Sequence, residues 1–384
     1  MRRIYADHNA TTPLEPQVLD VMLPYLRERF GNASSVHVFG RDARAAIDDA
    51  RVRLAKLLGA QESEIVFTGG GTEADNMAVF GVARAQRKKG RRVVISSIEH
   101  HAVLHACQYL EKTGECDASY LPVSRECLVD PDDLRKAIRN DTVLVSIMSA
   151  NNETGTIQPV KELAAVCRER GVAFHTDAVQ SFGKQPVNVN EWGVDMLSIA
   201  AHKFYGPKGV GALYVRRGTK LDPLLFGGSH ENERRAGTEN VAAIVGLAKA
   251  AELATAKMGE EQCRLFGLTE KLGEEIARHV SGAHRNGHAK QRIGNTIDFS
   301  FDGCEEEGLL LGLDLEGVAV SSGSACAVGS LEPSHVLKAM GLPHELARAA
   351  VRFSFGESNT SEDVGCILEA LRRVIDRLRK FARV

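Results

Sequence analysis

The chain has 384 residues, 43% of them apolar and 26% charged, with a formal net charge of −2. This is the composition of a soluble globular protein, and a charge so near zero offers no global attraction to nucleic acid or to an anionic membrane. No run reaches the roughly 20 apolar residues of a membrane-spanning helix. The start, MRRIYADHNATTPLEP, lacks the apolar core of a secretory signal. A cytoplasmic protein that partners neither nucleic acid nor membrane is therefore expected. The length also exceeds the roughly 250–300 residues at which single cores stop growing, which predicts one large domain and a smaller one.

In chain order, ARAAIDDARVRLAKLLG (43–59) has helical periodicity and stops on Gly59. Strand-like runs follow at 64–68, 92–97, 142–148, 172–177, 195–200 and 211–215. They are β-branched and apolar on both faces, as buried parallel strands are. Helical segments such as VKELAAVCRERG (160–171) lie between them. Such alternation reads as an α/β doubly wound domain. Beyond about residue 255 the character changes to a long helix-rich span, then NTIDFSF (295–301) and VRFSF (351–355) as strands of a second sheet. The closing helix carries apolar residues at 367, 368, 371, 374, 375 and 378, a helical stripe.

Eight cysteines are scattered without a CxxC pair, which argues against a disulfide framework or a zinc ribbon. Most read as small buried hydrophobes. Cys326 differs: it stands in VAVSSGSACAVGSLEP (318–333), whose serines, glycines and alanines pack poorly and predict an exposed loop.

Four further segments carry chemistry. In IVFTGGGTEADNMAV (65–79) a strand meets Gly69, Gly70 and Gly71, and Thr72 opens a helix. Converging N–H groups at a helix N-terminus cradle an anion, though the same sequence also makes a plain tight turn. In AFHTDAVQ, Asp177 ends a strand, either as a ligand group at the sheet's carboxyl edge or as a helix cap. Lys203 follows the strand 195–200 and precedes GPKG. A phosphate cradle, a carboxylate and a lysine, in that order, are the three parts a pyridoxal-phosphate site requires. His100 follows a strand, where an imidazole can stack on a flat ring or move protons. His101 and His105 are four apart but lack the glutamate of HExxH and a third ligand, so no metal is expected. Arg352 offers a guanidinium fork for a carboxylate, or a structural salt bridge.

Together, NASSVHVFGR (32–41), GGGTEADN, SSIEHHAVL, SANNETG (149–155), HTDAVQ, AHKFYGPKGVGALY, RRAGTENV (234–241) and SSGSAC resemble the cysteine desulfurases that serve iron–sulfur and nitrogenase cofactor assembly. The likeness runs from YADHNATTP to VRFSFG and has the long SSGSAC form of the family's first group. It implies a type I pyridoxal-phosphate fold, α/β, with a mainly parallel central sheet in a large domain plus a smaller α/β domain. Residues 15–255 would form the large cofactor-binding domain; 1–14 and 256–384 would form the small domain with the cysteine loop. It implies a homodimer with sites at the interface, pyridoxal 5′-phosphate as cofactor, L-cysteine as substrate, and a sulfur-acceptor protein such as an iron–sulfur scaffold. By motif, Lys203 bonds the cofactor aldehyde, Asp177 pairs with the pyridine nitrogen, Gln180 meets the ring oxygen and His100 stacks on the ring. Gly71, Thr72 and His202 hold phosphate, with Thr238 arriving from the other subunit. Asn151 contacts the cofactor and, with Arg352, the substrate carboxylate. Cys326 takes the sulfur as a persulfide. Selenocysteine lyase, or another class V enzyme, is the alternative activity. Three departures stand out: Ala200 replaces the family's usual phosphate-binding serine, Arg-x-Pro-Asn reads Arg292-Ile293-Gly294-Asn295, and the longer tail some relatives use for a scaffold is not matched after Phe381.

Overall fold

Short apolar segments flanked by turns become buried strands. Their order in space decides where chemistry can sit. In the computed structural model, residues 2–322 and 333–381 are described. The strands are β1 (Ile4–Tyr5), β2 (Ile65–Thr68), β3 (Arg92–Ser96), β4 (Asp117–Leu121), β5 (Thr142–Ser146), β6 (Ala173–Asp177), β7 (Met196–Ala200), β8 (Gly211–Val215), β9 (Ala283–Asn286), β10 (Thr296–Phe301), β11 (Val318–Ala319) and β12 (Ala350–Ser354).

The main sheet has seven strands in the order β2-β8-β7-β6-β5-β3-β4. β5, β7 and β8 are buried along their whole length, which is why their sequences do not alternate. The six predicted segments all form strands of this sheet. One expectation needs correction: β8 is antiparallel to both β7 and β2. The connection 201–210 is too short for the dozen or more residues of a parallel crossover, so the chain folds straight back. β4, a half-exposed edge strand reading DASYL, escaped the sequence reading because it carries no apolar run. All strands but β8 point the same way, so the ends of β2, β3, β5, β6 and β7 open on one edge, where α/β sheets bind ligands.

The helix predicted at 43–59 starts earlier, at Val38, and runs to Leu58. Gly59 ends it in the left-handed region at φ 72°, its N–H returning to Ala55 and Lys56 carbonyls. The helix Val241–His279 is 39 residues long and belongs to two cores. Its first half buries Ile244, Leu247 and Ala251 in the core under the main sheet. Its second half buries Leu265, Leu272 and Ile276 in a second core. That second core covers the antiparallel sheet β12-β10-β9 and takes Val364, Ile367, Leu371, Val374 and Ile375 from the terminal helix Ser361–Phe381. The change of character near residue 255 therefore falls inside a continuous helix. Gly294 has a local reason: a Cβ there would lie 2.5 Å from the Gln262 carbonyl oxygen of that long helix.

The N-terminal segment ties the two cores together. β1 pairs in parallel with β11. Residues 8–13 then cross to the main sheet, where the Thr12 N–H and hydroxyl both donate to the His202 carbonyl at 3.0 Å.

Candidate active site

The end of β2 delivers the chain to Gly70, which caps the helix Gly71–Ala85 with no side-chain hydrogen bond. Gly71 is required by close approach, because a Cβ there would sit 2.8 Å from Val179 Cγ2 and 3.4 Å from Ala200 Cβ. Gly69, Gly70, Gly71 and Thr72 line one cleft together with His202 and Thr11. His202 Nδ1 stands 3.2 Å from the Thr11 hydroxyl. Burial, then the charges of Lys203 and Lys208, push its pKa down to about 4, so it is neutral at pH 7.

Asp177 ends β6 and is 6% exposed. Its Oδ1 accepts the Val179 N–H at 2.8 Å. Burial raises its pKa, while that N–H and the charge of Lys203 act the other way. Beneath it lies Asp75, 1% exposed, which sequence reasoning did not single out. Burial and then the neighbouring Asp177 raise the Asp75 pKa well above the usual carboxylate range. Two carboxyls so close cannot both ionise cheaply. Asp75 keeps the proton and Asp177 is left as the anion. His175 is locked between the Ser146 hydroxyl at 2.8 Å and the Ser198 hydroxyl at 2.9 Å, with Nε2 3.7 Å from Asp75.

Lys203 Nζ donates to the Asn9 carbonyl at 2.5 Å and to the Ala10 carbonyl at 2.9 Å. Asn9 is the hub of this region. Its carbonyl also accepts from Gln180 Nε2, and its Oδ1 accepts from Lys184 Nζ and Asn295 Nδ2. Gln180 Oε1 accepts from Lys184 as well. One Gln180 N–H remains for a ring oxygen. Burial, then Lys203, push the Lys184 pKa down to about 7.

His100 caps the helix His101–Lys112, its Nδ1 accepting the Ala102 N–H at 3.1 Å. The neutral ring thus carries its proton on Nε2. Burial first, then Lys203, lower its pKa to about 4. His101 stacks on His105 at 4.6 Å and lies 5.0 Å from His335.

Arg352 is carried by β12 and its side chain is 3% exposed. It donates to Asp7 Oδ1 at 2.7 Å and to the Asn152 carbonyl at 2.8 Å. Among the described residues its Nε has no partner. Asn151 is fully buried. Its Oδ1 accepts the Glu153 and Thr154 N–H groups, and its Nδ2 donates to the Ile98 carbonyl. These bonds build the 151–155 turn. Thr238 is exposed and does not line the cleft of its own chain. Cys326 and the segment 323–332 lie outside the described residues.

The aminotransferase class-V family model matches residues 4–367. The chain belongs to that family, among its cysteine desulfurases. It is similar to "Cysteine desulfurase IscS" of Dictyoglomus turgidum, 55% identical over 99% of this chain and 96% of that protein. It is also 50% identical to "Cysteine desulfurase IscS" of Methanosarcina thermophila, over 99% and 94%. Among solved structures, a "NifS-like protein" superposes with a TM-score of 0.91 at 37% identity, covering 98% of this chain and all of that one. A NifS-like protein from Rickettsia africae gives 0.88 at 30% identity. Members of this family depend on pyridoxal 5′-phosphate, and the site fits that group. The glycine cradle suits its phosphate, the anion Asp177 its pyridinium nitrogen, and the amine of Lys203 its aldehyde.

Proposed function

We propose that the protein takes sulfur from L-cysteine, releases L-alanine, and passes the sulfur to an acceptor protein of the iron–sulfur assembly kind. The observation that carries this is the convergence of the cradle 69–72, Asp177 and Lys203 on one sheet edge, with Arg352 nearby and Cys326 in the same chain. When bound, pyridoxal phosphate withdraws electrons from the substrate's α-carbon.

The chain's own groups do the rest. Gly71, Thr72 and His202 hold the phosphate. Asp177 keeps the ring nitrogen protonated, and Asp75 makes this possible by holding its own proton. Arg352 orients the substrate carboxylate. Lys203, whose Nζ donates to the Asn9 and Ala10 carbonyls, would hold the cofactor aldehyde and serve as the base that takes the substrate's α-proton. His100 presents Nε2–H as a donor at neutral pH. The Cys326 thiolate attacks the substrate sulfur: an S–S bond forms, the Cβ–S bond breaks, and the electron pair left on carbon takes a proton to give alanine. The reaction needs no outside oxidant.

The chain works as a homodimer in the cytoplasm. Phe30, Val36, Phe39 and Phe226 are 74%, 88%, 52% and 82% exposed. The segments near them are joined by Ser34 Oγ and His230 Nε2 at 3.0 Å. Large apolar side chains this exposed call for a partner, and a second copy would bring Thr238 to the neighbouring cleft. Among the described residues no helix is long and apolar enough to cross a membrane.

The test is a purified, yellow protein given cysteine: with a thiol reductant present to discharge the persulfide, alanine and sulfide should form in equal amounts, and without it mass spectrometry should find added sulfur on the peptide carrying Cys326. Sulfur found only on another cysteine, such as Cys107 or Cys304, would sink the assignment.

A further inference from the structure

The phosphate cleft contains an anion of its own. Glu73 stands in the first turn of the helix Gly71–Ala85 and lines the cleft beside Thr72. Its Oε2 accepts the Gly69 N–H at 2.7 Å, so it takes one of the donors at the mouth of the cradle. With nothing bound, a carboxylate there suits the helix dipole. A dianionic phosphate in the same cleft turns it into a like charge.

Arg235 answers that charge. Its Nε donates to Glu73 Oε1 at 2.7 Å and its Nη2 to Oε2 at 3.1 Å, a two-bond fork on the carboxylate. The two side chains are only 21% and 19% exposed, so solvent screens the pair weakly. A Cβ on Gly69 would lie 3.9 Å from Arg235 Nη2, which places the guanidinium at the cradle's edge. Other cations are poor substitutes. His202 is neutral at pH 7, and Lys208 is exposed. The segment before Arg235 is tied down by an ion pair of its own. Arg235 follows Glu231, Asn232 and Glu233, all with positive φ, and Glu231 accepts from Arg51 Nη2 at 2.6 Å and Nη1 at 2.8 Å.

We propose that Arg235 is a positioning residue for cofactor capture: it neutralises Glu73, and so lets the helix N-terminus act as a phosphate site rather than a site already satisfied by its own carboxylate. This rests on the reading of the cleft 69–72 as the phosphate site.

The experiment measures the dissociation constant of pyridoxal phosphate from apo-protein by cofactor absorbance, together with its off-rate, in the full-length chain. Arg235→Ala should weaken binding by about 10- to 100-fold, the cost of an unneutralised like charge at an effective dielectric of about 20. Glu73→Gln should bind as well as wild type or better, since the amide oxygen still accepts from Gly69. The double variant Arg235→Ala/Glu73→Gln should return to within about threefold of wild type, because removing the anion removes the need for the cation. Arg235→Lys, which keeps the charge, should stay within the same range, and it stands in if the alanine variant does not fold. A double variant as weak as Arg235→Ala overturns the proposal, since Arg235 would then act on the phosphate directly. So does an unchanged constant in Arg235→Ala when Thr72→Val weakens binding. If Thr72→Val changes nothing either, the cleft itself has been misassigned, and this proposal falls with it.

Discussion

Replacing Arg352 by alanine tests substrate binding against structure, because this side chain serves both. In the structure it makes two charged hydrogen bonds, to Asp7 and to the Asn152 carbonyl, and keeps Nε without a partner among the described residues. A hydrogen bond to a charged group contributes about 1.5–3 kcal/mol, so losing the one to the substrate carboxylate should raise the KM for cysteine roughly 10- to 150-fold. The same change strips Asp7 of its partner, and breaking a buried pair by removing one side costs up to about 3–5 kcal/mol of stability. That upper figure is softened here, because Asp7 is 18% exposed and the nearby Glu153 and Asp298 can hold protons instead. Asp7→Asn separates the two effects. It costs part of the stability but frees the guanidinium of a competing anion, so KM should hold or fall. Steady-state kinetics and melting temperatures of the two variants decide the matter. Arg352→Ala with an unchanged KM, or Asp7→Asn raising KM as much as Arg352→Ala does, would refute a substrate role and leave Arg352 as a strut between β12 and the N-terminal segment.

Lys203→Ala should lose the visible absorbance of the lysine-bound cofactor and all turnover; full activity would falsify its assignment. Ala200→Ser should slow cofactor loss during dialysis while leaving turnover at saturating cofactor nearly unchanged, since position 200 abuts Gly71 rather than the reacting bonds; matching loss rates in the two proteins would show that the phosphate already has its full set of donors. For the apo-protein, the melting temperature should fall as pH rises from about 6.5 to 8. Burial raises Glu99 and Asp298 to about 8 and Glu153 to about 7, so the folded state keeps protons that the unfolded chain releases from about pH 4 upward, and their contribution drains away by pH 8. His8, His100 and His202, lowered to about 4 by burial, act oppositely, but only below about 6.5, while Lys184, lowered to about 7, offsets part of the fall above 7 against the three carboxyls. Glu99→Gln should flatten the slope, and an unchanged slope would remove Glu99 from this account.

The fold was legible because its strands are buried on both faces and therefore spell themselves out as apolar runs. What escaped was whatever burial does not write into composition. β4 is an edge strand whose outer residues meet water, so Asp117 and Ser119 break the pattern. The direction of β8 depends on the length of the loop before it, which an apolar count ignores. The helix Val241–His279 hides a change of core because both halves keep the same periodicity; only their neighbours differ.

The site divides along a similar line. Lys203, Asp177, His100 and the glycine cradle follow strand ends, and the topology alone brings strand ends together. Asn9, Asp75 and Lys184 have no such marker. Asn9 sits in a segment that reads as an N-terminal arm, and it becomes the hub of Lys203, Gln180 and Lys184 only because β1 pairs with β11 and carries the arm across the sheet edge. Asp75 lies on a helix face that looks like a polar interruption, and its meaning depends on Asp177 arriving beside it from β6, a hundred residues later in the chain. The same physics applies at Asn151. A side-chain amide can satisfy a turn or a ligand with the same atoms, and only the N–H groups of Glu153 and Thr154, which are buried and need an acceptor, decide which. Residues that act through their own place on a strand end can thus be read from a sequence, whereas residues that act by completing another residue's hydrogen bonds require the neighbours to be placed first.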